Sequence, residues 1–291
     1  MSRRPRLNAA LVGLAALMAA GSAQALPPVW VVRDADSEIV LFGSVHILPP
    51  GLNWEPPELM RALAAADDLW FEIPVDVSTD SETSRIAAEA GMLAADQSLF
   101  KLLGPKGAAQ LARVAALYAV SPVVLDRLQP WLAEIALAGG AYRKAGADAA
   151  SGVEKTISAA ARPQAQRHAF ETPAEQVAIL AHAPRNEQIA SLRQTMQEME
   201  TKPDQFATLV KAWVDGDMAG LDREAIAEMR KAAPTLFRTL VTERNIRWTK
   251  ALDDRMKGHG HTVVVVGVGH LIGPGGVPAR LRALGYSVTG P

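Results

Sequence analysis

Two histidines stand in the same short phrase near opposite ends of the chain, Gly43-Ser44-Val45-His46 and Gly267-Val268-Gly269-His270. Each phrase follows an apolar run that reads as a strand, residues 38–42 in one case and 263–266 in the other. The glycine lets the chain leave a sheet tightly, and a histidine three residues later is placed to lean over the strand end. Glu72 sits at the end of a third such run, residues 69–73, stopped by Pro74. If the three strands are parallel, their carboxyl ends open onto the crevice where ligands bind, and three ionisable side chains meet at one sheet edge. Two neutral imidazoles and a carboxylate suit a divalent ion such as Mn, Co or Zn, and open coordination positions would permit hydrolysis.

Those residues need a sheet to hold them. Residues 29–33 and 38–42 read as two short strands with Asp34-Ala35-Asp36-Ser37 as their turn. A proline-rich loop over 49–57 leads to a helical pattern at 58–66, and Pro57 suits a first helical turn because its missing N–H is not needed there. With the strand at 69–73 this makes a βαβ unit, whose two strands should be parallel. From 79 to 258 the texture is rich in Ala, Leu, Gln and Glu with helical spacing, and prolines divide it into seven or eight helices, the clearest near 173–183, 205–215 and 234–257. The four valines 263–266 then form a strand apolar on both faces. Gly275-Gly276 opens a helix through Leu284, and 286–289 is a final strand. The expected fold is α/β (α+β), a split mixed sheet built from segments 26–78 and 259–291, with a large all-helical insertion, 79–258, capping one sheet edge.

Composition limits the chemistry. The chain has 291 residues, 49% hydrophobic and 21% charged, which excludes intrinsic disorder. A formal charge of −1 argues against a dedicated nucleic-acid binder, which needs a basic surplus. There is no cysteine, so disulfides, thiolate zinc sites, iron–sulfur clusters and a cysteine nucleophile are excluded, and any metal falls to Asp, Glu and the six histidines. Arg3, Arg4 and Arg6 precede an apolar stretch at 9–20 and then Ala23-Gln24-Ala25, the pattern of a signal peptide over 1–25 cleaved after Ala25. Removing it, with three Arg and no acid, leaves 266 residues at −4 and no stable membrane anchor, so a periplasmic or secreted location is expected. His259-Gly260-His261 reads as an exposed loop. Gly267, Gly269 and Gly273 have the wrong spacing for a dinucleotide site, and no Gly-x-Ser-x-Gly elbow exists. Trp54 among its prolines is a lid or, as we favour, a hydrophobic anchor.

The phrases 41–46, Trp70-Phe71-Glu72, and 266–271 running on to Gly285-Tyr286-Ser287-Val288 resemble the TraB/GumN family, relatives of the Tiki metalloproteases. The resemblance spans the mature chain, loosely through the helical middle. It implies that His46 and His270 bind metal and that Glu72 is either a third ligand or the general base. Gly152-Val153-Glu154 is similar to a family phrase that makes Glu154 a site residue, and Glu243-Arg244-Asn245 is similar to one whose arginine enters the site, where Arg244 would hold a substrate carboxylate or an oxyanion. The activity so implied is that of an exported metal-dependent hydrolase, peptidase-like, acting on a peptide or protein. The alternative is a non-catalytic module of the envelope that sequesters a peptide or haem.

Overall fold

The computed structural model describes residues 26–291; the expected signal segment, 1–25, lies outside the described residues. Six strands, β1 (Val29–Arg33), β2 (Ser37–Ser44), β3 (Asp68–Phe71), β4 (Gln166–Ala169), β5 (Gly260–Gly267) and β6 (Ser287–Thr289), form one mixed sheet in the order β4-β3-β5-β2-β1-β6. β1 runs antiparallel to β2 and β6, while β2, β5, β3 and β4 are mutually parallel. The βαβ unit is present with helix α1 (Pro57–Ala65) between β2 and β3, whose strands are parallel as expected. They are not neighbours, because β5 fills the gap between them. Val263, Val264, Val265 and Val266 are each at most 1% exposed, as befits a strand with neighbours on both edges and cover on both faces.

The middle of the chain supplies α2 (Val77–Gly91), α3 (Leu99–Leu117), α4 (Pro122–Leu125), α5 (Pro130–Lys144), α6 (Val153–Ala160), α7 (Pro173–Ala181), α8 (Arg185–Thr201) and α9 (Gln205–Asp215). After these come α10 (Met218–Leu221), a π-helical turn over Asp222–Ala227, α11 (Glu228–Ala232), α12 (Pro234–Phe237), a second π turn over Arg238–Thr242 and α13 (Glu243–Met256). α14 (Val277–Ala283) precedes β6. One element departs from the expected all-helical insertion: β4 lies within it and pairs with β3 through Asp68↔Gln166 to Phe71↔Ala169. Its sequence, Gln-Arg-His-Ala, has no apolar alternation, because an edge strand of four residues needs little burial and takes its stability from β3.

Two apolar clusters divide the interior. The larger joins the sheet to α1, α6, α9, α13 and α14; the smaller lies among α3, α4, α5 and α8. Trp54 belongs to the larger, 4% exposed, stacked on Phe42 at 5.6 Å between ring centroids and also 5.6 Å from Trp213. It is an anchor rather than a lid. Trp213 Nε1 donates to the Gly43 carbonyl at 2.8 Å, tying α9 to the end of β2. Among the described residues no helix is long and apolar enough to cross a membrane.

Candidate functional site

Four consecutive parallel strands end side by side, and each hands one ionisable residue to the same edge. In the order β4-β3-β5-β2 these are Glu171, Glu72, His270 and His46. Ser44 pairs with Gly267 and Gly43 with Val266, so the two Gly-x-x-His phrases leave the sheet in adjacent strands, staggered by one residue. The second phrase turns at once into a 3-10 turn, Val268–His270, which carries His270 inward to 6% exposure. His46 remains open, its side chain 65% exposed. Gly267 marks the meeting point. A Cβ there would stand 3.2 Å from Glu72 Oε1, 3.7 Å from His270 Cδ2 and 3.9 Å from His46 Nε2, so the glycine leaves an unfilled cradle between the three.

Each imidazole is anchored through Nδ1. His46 Nδ1 lies 2.5 Å from Glu154 Oε1, which also accepts from Ser44 Oγ at 2.6 Å. Glu154 sits in the first turn of α6, and that helix docks on the His46 loop through Val153 N–H to Val45 O at 3.3 Å. The approach requires Gly152, since a Cβ would run into the His46 carbonyl oxygen. The Glu154 carboxylate raises the His46 pKa to about 9. Across the site, Asn245 Nδ2 donates to the carbonyls of His270 (3.3 Å) and Gly275 (2.9 Å), which turns its Oδ1 toward His270 Nδ1 at 2.7 Å. An amide oxygen only accepts, so the His270 proton sits on Nδ1 and the Nε2 lone pair faces the site. Burial, with the charge of Arg244 and against the pull of Glu72, lowers the His270 pKa to about 4, so the ring is neutral.

Glu72 is held on both oxygens. Oε1 accepts from Gly267 N–H at 2.7 Å, and Oε2 accepts from Arg244 Nη2 at 2.6 Å and from Gln176 Nε2 on α7 at 3.1 Å. Burial alone would disfavour its charge, yet His270, Arg244, His46 and the Gly267 N–H lower its pKa to about 2. It is a standing anion. Arg244, 2% exposed on α13, does enter the site, but every N–H it has is taken. Nε and Nη2 meet the Glu171 carboxylate at 2.8–2.9 Å, Nη2 also reaches Glu72, and Nη1 donates to Leu240 O at 3.1 Å and to His270 Nε2 at 3.0 Å. A guanidinium so saturated is a strut between two carboxylates and an imidazole, with no donor left for a substrate carboxylate or oxyanion. Trp248 backs the strut, 4.5 Å from its guanidinium and 4.4 Å from the His270 ring.

The sequence reading missed Glu171, Asn245 and Gln176. Glu171 is 7% exposed, pairs with Arg244 and with Arg247, whose Nη2 lies 3.0 Å away, and accepts from Trp248 Nε1 at 3.3 Å. The one signal available was for Asn245: with Arg244 it puts polar residues on the stripe of α13 that buries Trp248, Leu252 and Met256. As the side chains stand, with Arg244 lying on the His270 Nε2 and Glu72 Oε2 lone pairs, no three His, Asp or Glu among the described residues form a group that could hold a metal ion. The donor set and the cradle still suit one. His46 Nε2 and the Cδ2 edge of the His270 ring border the space at Gly267, and both Nδ1 atoms are engaged by an oxygen behind them, the arrangement found behind metal-bound histidines.

The chain is 25% identical over 257 residues, 88% of its length and 92% of the relative's, to "Uncharacterized protein YbaP" from Escherichia coli (strain K12), and equally to its counterpart from Shigella flexneri. No solved structure matches. The TraB/PrgY/gumN family matches over residues 28–290, which takes in all four strand ends and both histidine phrases, and the chain belongs to that family.

Proposed function

We propose that the chain is an exported hydrolase, peptidase-like, whose reacting centre is the cradle at Gly267. The observation that carries this is the convergence there of two Nδ1-anchored imidazoles and a permanently charged carboxylate. His46, His270 and Glu72 are the residues that would hold a divalent ion such as Mn, Co or Zn, with Arg244 withdrawing from the His270 Nε2 and Glu72 Oε2 atoms it covers. Such an ion would lower the pKa of a bound water into the neutral range. The chain's own contribution is orientation. Glu154 and Ser44 aim His46, Asn245 keeps the His270 proton on Nδ1, and Gly267 N–H and Gln176 hold the Glu72 carboxylate. A pKa of about 2 suits Glu72 to the role of charged ligand rather than to proton transfer near pH 7. The exported, periplasmic or secreted location rests on the 1–25 segment.

The test is metal content and cleavage of a peptide library by the wild-type protein, His46→Ala and His270→Ala after incubation with Mn, Co or Zn. We expect bound metal and cleavage in the wild type and loss of both in each variant; unchanged metal and cleavage in both variants would sink the proposal. A second reading, a non-catalytic module that sequesters a peptide or haem, draws on the way Arg244 already lies on His270 and Glu72. Stoichiometric binding with no product after long incubation would favour it.

A further inference from the structure

A second cavity, of about 770 Å³, lies among α5, α8, α9 and the stretch from the first π turn to the second. That is within the roughly 300–1,000 Å³ typical of small-molecule sites. Its walls include Tyr118, Trp131, Tyr142 and Phe206, the last two paired at 4.9 Å. Five carboxylates line it, Glu134, Glu198, Asp204, Glu224 and Glu228, with Lys144 and Lys202 also in the wall, and Glu134 and Glu198 form no ion pair among the described residues. Glu134 Oε1 accepts from Ser191 Oγ at 2.9 Å and Thr195 Oγ1 at 2.7 Å, while its Oε2 accepts from no described residue. Glu198 is met only by the amides of Gln194 and Gln205, at 2.9 and 3.4 Å. The nearby ammonium of Lys144 is turned to the Leu117 carbonyl and the Tyr118 ring. The cavity wall also holds two unmet polar atoms, Trp131 Nε1 and Gln188 Oε1, on side chains 4% and 5% exposed.

A carboxylate shielded from water without a counter-ion is costly, and desolvation accordingly pushes the half-buried Glu134 carboxyl above its usual range, with the charge of Glu198 acting in the same direction. Neither lysine of the wall forms an ion pair with Glu134 or Glu198 among the described residues, so what is missing there is a positive charge carried on an apolar body. The carboxylates would take the charge, and the aromatic walls accept both the cation and its hydrocarbon. We propose that this cavity binds an amphipathic organic ammonium ion, its head at Glu134 and its apolar body along Tyr118, Trp131, Tyr142 and Phe206. The site is separate from the histidine centre, although Leu240 belongs to both: it lines the cavity, and its carbonyl holds Arg244.

The test is calorimetric titration of the purified protein with octylammonium, octanol and octanoate below their aggregation limits. We expect saturable one-to-one binding of octylammonium, binding of octanol at least about ten-fold weaker, as loss of a charge-assisted contact implies, and none of octanoate. Glu134→Gln should weaken octylammonium about ten-fold with an unchanged circular dichroism spectrum, and Ala138→Trp, which fills the cavity, should abolish it. His270→Ala should bind octylammonium like the wild type. Equal affinity for octanol, wild-type affinity in Glu134→Gln, displacement of octylammonium by millimolar Mg²⁺, or no saturable binding at all would overturn the proposal.

Discussion

The chemistry of the site depends on how each histidine is protonated, and single side chains decide that: Glu154 favours the charged form of His46, while His270 is neutral. Asn245 decides which His270 nitrogen carries its proton. Asn245→Ala should leave the fold intact, since the helix continues past it, and should lower metal affinity and peptide cleavage about 10- to 100-fold, the usual consequence of removing the group behind a metal-bound imidazole. The same ring makes stability depend on pH. His270 is neutral in the folded protein down to about 4, whereas an unfolded histidine takes its proton near 6.5. Between those values the unfolded chain binds the extra proton, so stability falls as pH drops from about 6.5 to about 4, by up to about 1.4 kcal/mol per pH unit. Urea midpoints across that range should slope downward for the wild type and be flatter for His270→Gln; equal slopes would refute the assignment. Arg244 was marked as a site residue only by its resemblance to a family arginine, the residues alone reading equally well as a solvated helix face. That all its donors would be consumed was not legible, because Glu171, its principal partner, follows a strand without an apolar pattern and gave no sign of burial.

Local elements turn these residues into a site by docking end-on. The N-terminus of α6 touches the His46 loop only because residue 152 is glycine, and this contact delivers Glu154 to His46. Gly152→Ala should push the helix away at a cost of about 1–3 kcal/mol and release the imidazole. The His46 pKa, followed by NMR, should then fall from about 9 toward 6.5. The N-cap of α7, Thr172, directly follows Glu171 and forms a capping box with Glu175, each bonded to the other's backbone, which presents Gln176 to Glu72. The strands carrying His46, Glu72 and His270 were readable because β-branched and aromatic runs ending in Gly or Pro have few other interpretations. The helix at 205–215 was readable to the residue, closed by Gly216 in the left-handed conformation at φ 67°. The two π turns were not, because a single inserted residue shifts a helical stripe by less than the stripe's own width.

In the molecule as a whole, the sheet is stitched from both ends of the chain. β2, from the first fifth of the sequence, pairs along eight residues with β5, from the last eighth, and β1 pairs with β6. The sequence pattern pointed to such a split sheet, but strand order is set by pairing between distant segments, which periodicity does not encode. Because β5 is the hub, its core residues matter most. Val264→Ala, with Leu41 beside it in register on β2 and Trp70 on β3, should destabilise the protein by about 1.5–3 kcal/mol, seen as a lower urea midpoint with an unchanged m-value. The position of β5 also sets a timetable. On the ribosome β2 and β3 emerge long before the strand that separates them, and the four-strand edge does not exist until residues 260–270 are made. A nascent chain halted at residue 259 therefore has neither a sheet centre nor a second histidine. Folding must wait for a contact spanning more than 200 residues, which makes it slow and nearly simultaneous with the birth of the site.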